Sequence, residues 1–139
     1  MTKTQAAGEF RFHRDAHSGV PAYRQMIDQV LAARARGALH VGDQLPTVRQ
    51  AAVDLAINPN TVMRAYREME IRGILDTQQG AGTFIAEHNE AGSSQERERQ
   101  LEQLVGEFVA RGGALGFTVR EMVQSLRRLA GDGDAKERK

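Results

Sequence analysis

The sequence predicts a mainly α-helical chain with one small β-hairpin, and three observations carry that prediction. Across residues 45–86, two short helical patterns are separated by only a few residues and followed by two strand patterns around a glycine-rich turn. The second helix has an apolar face and, opposite it, a face of hydrogen-bonding side chains. Beyond a polar linker, two further amphipathic helices follow. Helix, tight turn, helix and hairpin in that order make an N-terminal winged helix-turn-helix, a device that presents its second helix to a DNA major groove. The last two helices make a short two-helix dimerisation tail.

The elements follow in order. Residues 1–8 read as a disordered start. Residues 9–14 alternate, with Phe10 and Phe12 on one side, which suits a short strand or extended arm. Ser18-Gly19 marks a turn. Pro21 opens a helix expected to end near Gly37, with Tyr23, Met26, Ile27, Val30 and Leu31 as its stripe. Leu39 and Val41 are expected in a small strand against the wing, before the Gly42-Asp43 turn into Leu45-Pro46.

Thr47 with Gln50 forms a capping box, so a helix starts there. Val48, Ala51, Ala52 and Leu55 give its buried face, and residues 56–58 leave room only for a tight turn. Asn58 is a good N-cap, Pro59 suits the first helical position, and Gly73 suits a left-handed stop. Between them Val62, Ala65, Tyr66 and Met69 face inward. Asn60, Thr61, Arg64 and Arg67 face outward, with side chains of the kinds that read base edges and phosphates. Residues 74–77 and 83–86 read as strands around a flexible tip at 78–82. The tip glycines Gly80 and Gly82 would let backbone approach a groove, or they are plain turn glycines. The expected core is Tyr23, Ile27, Leu31, Leu45, Leu55, Val62, Tyr66, Met69, Leu75 and Phe84, with the Tyr66 hydroxyl at the surface. With Phe10 and Phe12 left in the arm, aromatic burial is thin, and a domain this small is expected to be modestly stable.

This gives a winged-helix domain over residues 9–88, a linker over 89–95, a two-helix segment over 96–130 and a frayed tail over 131–139. The first tail helix is expected to break at Gly112-Gly113, and Thr118 with Glu121 makes a second capping box for the next. The apolar residues Leu101, Leu104, Val105 and Phe108 on one helix, and Met122, Val123 and Leu126 on the other, are the expected dimerisation residues. Two such short helices cannot bury their faces alone. They pack on the winged helix or, as favoured here, on the same helices of a second copy. A two-fold dimer then carries two reading helices to a pseudo-palindromic site. Glu107 is expected at the edge of its helix, in water, and Arg97 and Arg99 in a solvated ion-pair face with Glu96, Glu98 and Glu102.

Composition excludes several classes. There is no cysteine, so no disulfide framework and no thiolate metal site. No stretch has the length of a membrane span and the start has no signal-peptide core, so the expected location is the cytoplasm. His13, His17, His40 and His88 are scattered and read as solvated rather than as metal ligands. No phosphate-cradling loop, dinucleotide fingerprint or nucleophile constellation is present, so neither an enzyme nor a cofactor is expected. The formal charge is only +1, from 19 basic and 18 acidic residues. Among the basic residues only Lys3, Lys136 and Lys139 are lysine. Arginine dominance suits bidentate contact with phosphate and guanine, and a GC-rich genome gives the same bias.

Several runs resemble the GntR-type bacterial transcription regulators: Leu45-Pro46-Thr47-Val48-Arg49, Asn60-Thr61-Val62, Arg64-Ala65-Tyr66, Gly73-Ile74 and Gly80-Ala81-Gly82-Thr83-Phe84. The likeness covers about half the chain, from Val20 to Ala86. The Asn58-Pro59-Asn60-Thr61 run and the short tail most resemble the YtrA subfamily. The resemblance implies a homodimeric repressor, acting on its own operon and on transporter genes. It implies DNA contacts from Arg49, Asn60, Thr61, Arg64, Gly80 and Gly82. Many members of the wider family carry a basic residue where this chain has Pro59, so that contact is absent.

The expected mechanism is operator binding as a dimer. Asn60, Thr61 and Arg64 reach bases in an inverted repeat of double-stranded DNA, while Arg49 and Arg67 hold phosphates. A small-molecule effector, if one exists, has no separate domain and would sit in the dimer interface or against the tail, where Met122 and Phe108 are candidates. Two other classes stay open at this point. A protein-interaction module would not need Arg and Asn on the exposed helix face, and an architectural DNA binder would bind tightly without sequence preference.

Overall fold

A computed structural model describes residues 10–87 and 92–138. The expectations for residues 1–8, for His88 and for linker residues 89–91 lie outside the described residues. The chain forms two compact units that divide at residues 88–89.

The first unit contains α1 (Ala22–Arg36), α2 (Val48–Leu55), α3 (Pro59–Ile71), β1 (Leu75–Gln78) and β2 (Gly82–Ile85). Helix α1 follows Pro21 and stops at Gly37, whose φ of 83° is left-handed. Helix α2 begins at Thr47, whose hydroxyl accepts from the Gln50 N–H at 3.0 Å. The capping box is half used: the Gln50 amide donates instead to Asp54, at 2.9 Å. The turn between α2 and α3 passes through Ala56, held at a φ of 56°, where a Cβ strains the backbone. Asn58 then caps α3 by accepting from the Asn60 N–H at 2.8 Å. At its other end Gly73 (φ 77°) reverses the chain, and the Ile74 N–H donates to the Met69 carbonyl at 2.8 Å. Ile74 therefore belongs to the helix stop, and the strands sit one residue from where alternation put them. Their register pairs Leu75 with Ile85 and Gln78 with Gly82.

Three expectations about the core are corrected. Phe12 is a core residue, buried in the same cluster as Met26, Val30 and Val62, and Phe10 meets it edge-on at 5.0 Å. The arm reaches the core because two glutamines one turn apart on α1 hold its backbone. The His13 N–H donates to Gln29 Oε1 at 3.1 Å, and Gln29 Nε2 donates to the His13 carbonyl at 2.6 Å. Gln25 binds the N–H and carbonyl of Asp15 in the same way, at 2.9 and 3.1 Å. In the wing Ile85 fills the core position expected of Phe84, because register with Leu75 turns Ile85 inward. Tyr23 and Leu31 are half-buried at the core's edge.

The segment that meets the wing also lies further along than expected. Leu39 is buried but Val41 is exposed. The hydrogen bonds to β2 come from residues 42–45: Gly42 N–H to the Ile85 carbonyl at 2.9 Å, Ile85 N–H to the Asp43 carbonyl at 2.8 Å, and Leu45 N–H to the Thr83 carbonyl at 2.8 Å. A turn closed by the buried Asp43 carboxylate, which accepts the His40 N–H at 2.8 Å, moves the pairing to this point.

The second unit is a hairpin of α4 (Ser94–Ala114) and α5 (Val119–Arg138). Ser93 caps α4 by accepting from the Glu96 N–H at 3.2 Å. Helix α4 runs through Gly112-Gly113 and stops at Gly116 (φ 91°), where the Phe117 N–H donates to the Gly112 carbonyl at 2.9 Å. Gly112 is a packing residue rather than a breaker: a Cβ there would lie 2.5 Å from Met122 Sδ. Thr118 and Glu121 make the full reciprocal box, with N–H bonds of 2.9 and 3.2 Å. Helix α5 continues past Ala130 through the expected frayed tail to Arg138, although Gly131 and Gly133 each weaken a helix. Among the described side chains of this unit only Met122 is a buried apolar residue. Among the described residues, no helix is long and apolar enough to cross a membrane.

Candidate nucleic-acid interface

The interface is built on α3. Its capped N-terminus fixes the helix direction, and Val62, Ala65, Tyr66 and Met69 bury one face. Tyr66 also ties α3 to the segment before α2: its hydroxyl donates to the Pro46 carbonyl at 2.5 Å. That corrects the expectation of a surface hydroxyl. Burial pushes this hydroxyl well above the usual phenol range, so it stays a donor.

With that face fixed, Asn60, Arg64 and Arg67 point into solvent and Thr61 is half-exposed. Asn60, Arg64 and Arg67 line one open concavity together with Met63, Glu68, Ile71 and Arg72. Arg49, in the first turn of α2, is exposed as well. Neither Arg49 nor Arg67 has an ion pair among the described residues, so both keep their donors for a ligand.

Arg64 is held differently. Its guanidinium carbon lies 3.9 Å from the centroid of the Tyr23 ring. Stacking occupies the guanidinium face and leaves the in-plane N–H donors open to a bidentate acceptor. Tyr23, expected in the core, is therefore also a platform that orders Arg64. Its place in an apolar stripe hid this role, because contact between α1 and α3 is not visible from either helix alone.

The wing supplies the remaining candidates. Residues 79–81 form its tip, closed by the Ala81 N–H donating to the Gln78 carbonyl at 3.0 Å. Gly80 has a φ of 82° and open space around it, so the turn, not crowding, demands glycine. Gly82 has a φ of 132°, and a Cβ there would run into the Gln44 side chain. Gln44 is a second residue that sequence patterning missed: its Nε2 donates to the Ala81 carbonyl at 3.1 Å and pins the wing tip. Among the described residues, no group of histidine, aspartate or glutamate side chains could hold a metal ion.

The expected dimerisation residues lie on the separate hairpin. Leu101, Leu104, Val105, Phe108, Val123 and Leu126 are exposed, Leu104 at 62%. Met122 departs from that set: at 8% exposure it already fills the crossing of α4 over α5.

Residues 22–85 match the model of the gntR family of bacterial regulatory proteins. The HTH-type transcriptional regulator YhcF of Bacillus subtilis is 40% identical over 116 residues, covering 84% of this chain and 95% of its own. The chain belongs to the GntR family. The GntR likeness extends through the tail: the B. subtilis HTH-type transcriptional repressor YtrA is 29% identical over 118 residues, covering 85% of this chain and 91% of its own. A solved GntR family regulator from Listeria monocytogenes superposes with a TM-score of 0.53 at 28% identity, covering 83% of this chain and 98% of that one. As a GntR protein the chain is a DNA-binding transcription regulator and not an enzyme, and its winged helix carries the family's motifs.

Proposed function

We propose that the protein is a homodimeric repressor that binds an inverted-repeat operator with α3 in the major groove. The observation that carries this reading is the solvent-facing set of Asn60, Arg64 and Arg67 on a helix whose other face is locked into the core. Asn60, Thr61 and Arg64 reach base edges, Arg49 and Arg67 hold phosphates, and the wing glycines Gly80 and Gly82 let backbone approach the duplex. The apolar faces of α4 and α5 pair with those of a second copy. A dimer places two reading helices on two half-sites, and repression follows from blocking polymerase. Control of its own operon and of transporter genes is what the likeness to the YtrA subfamily suggests. The winged helix spans residues 9–88 and the pairing segment begins beyond the linker.

The test is selection of operator sequences from a random duplex library by the full chain at about 150 mM salt, near physiological ionic strength. The expected result is an inverted repeat. Arg64→Ala is expected to cost about 1–3 kcal/mol and relax preference at one position per half-site. Arg49→Ala is expected to weaken all sequences alike and flatten the salt dependence. Enrichment of no sequence by an intact dimer would turn the reading toward a protein-interaction module.

A further inference from the structure

Met63 does not fit the division of α3 into a buried apolar face and an exposed polar one. Val62 and Met69 are fully buried, whereas Met63 is 44% exposed. At about 100° per residue, positions 60, 63, 64 and 67 share one side of a helix. Met63 lies one turn from both Asn60 and Arg67 and borders the same concavity. A thioether there has no hydrogen to donate and no charge to offer a phosphate. In the major groove, the apolar group that a base presents is the thymine C5-methyl. Methionine is unbranched and adaptable, so it can lie against a methyl whose position the neighbouring polar contacts have fixed.

We propose that Met63 is a specificity-determining residue that reads a thymine C5-methyl within each half-site, beside the base contacted by Asn60. This inference rests on the operator reading above and adds an apolar determinant to its polar ones.

The test uses the full chain, its selected operator, and duplexes in which one thymine at a time is replaced by deoxyuridine. That replacement removes the methyl and keeps every hydrogen-bonding group. Fluorescence anisotropy is expected to show one thymine per half-site whose replacement weakens binding by about fourfold, the value of one buried carbon. Met63→Ala is expected to abolish that discrimination, Met63→Leu to keep it, and both to leave the salt slope unchanged. A flat scan on an operator still preferred over scrambled DNA overturns the role of Met63 alone. So does a half-site without thymine, or equal sensitivity to deoxyuridine in Met63→Ala. Absence of any preference for the operator over scrambled DNA overturns the operator reading and this inference with it.

Discussion

The winged helix and the helical hairpin dispose of their apolar residues in opposite ways. In the first unit the arm, three helices and the wing enclose one cluster in which Met26, Val30, Val62, Ala65 and Met69 are fully buried. In the second, Leu101, Leu104, Phe108, Phe117 and Leu126 each remain about half exposed or more, and Met122 is the single buried contact among the described side chains. Both units are capped with equal care, so local helix signals do not separate them. The difference lies in closure. One unit carries its own partner surfaces, while the other leaves apolar side chains exposed; under the proposed pairing their burial needs a second copy and so depends on concentration.

The sharpest way to break that contrast is to damage each unit and vary the protein concentration. Met69→Ala, in the closed core, is expected to cost about 2–5 kcal/mol in chemical denaturation. That loss should be the same at low and high protein concentration. Phe108→Glu, on the open face, is expected to convert the dimer to a monomer by sedimentation and to lower the helix content of the dilute protein. If α4 and α5 melt at one midpoint across a hundredfold dilution of the unaltered protein, the hairpin is self-sufficient and the contrast fails.

Smaller effects sharpen it. Gly112→Ala pushes a Cβ into Met122 and is expected to cost about 1–3 kcal/mol, read as a lower thermal midpoint of the hairpin. Tyr66→Phe leaves the Pro46 carbonyl without its donor and is expected to cost about 1–2 kcal/mol. The pH dependence has a definite sign. Burial raises the folded Tyr66 hydroxyl above its unfolded value, so its contribution is complete below about pH 10 and is lost as pH rises beyond that. Denaturation midpoints at alkaline pH should therefore fall more steeply in the parent than in Tyr66→Phe. Smallest of all, Gln29→Ala removes the clamp on His13 and is expected to cost about 1 kcal/mol. Faster hydrogen exchange at the arm amides would report it.

Much of this architecture was legible before any coordinates. Caps at Thr47, Asn58 and Thr118, and the stops at Gly37 and Gly73, act within a few residues of themselves and can be read locally. So can the outward set on α3, because helical spacing alone separates it from the core face. What escaped reading was long-range. Phe12 reaches the core through contacts with α1. Tyr23 meets Arg64 across two helices, and Gln44 holds a wing tip 37 residues away. Gly112 looked like a break because glycine weakens helices, and only the approach of Met122 shows why it is there.

The glutamine clamp has one last consequence. Side-chain amides at Gln25 and Gln29 offer a donor and an acceptor in the geometry of a neighbouring peptide group, so the arm is satisfied without any sheet to join. The match to the family begins at the first helix, yet an aromatic side chain ten residues earlier belongs to the core that helix packs into. A fragment cut to the motif boundary would thus start with an open slot where Phe12 belongs. The unit of recognition and the unit of folding do not share an edge, and anyone grafting this reading head onto another protein should carry the arm along with it.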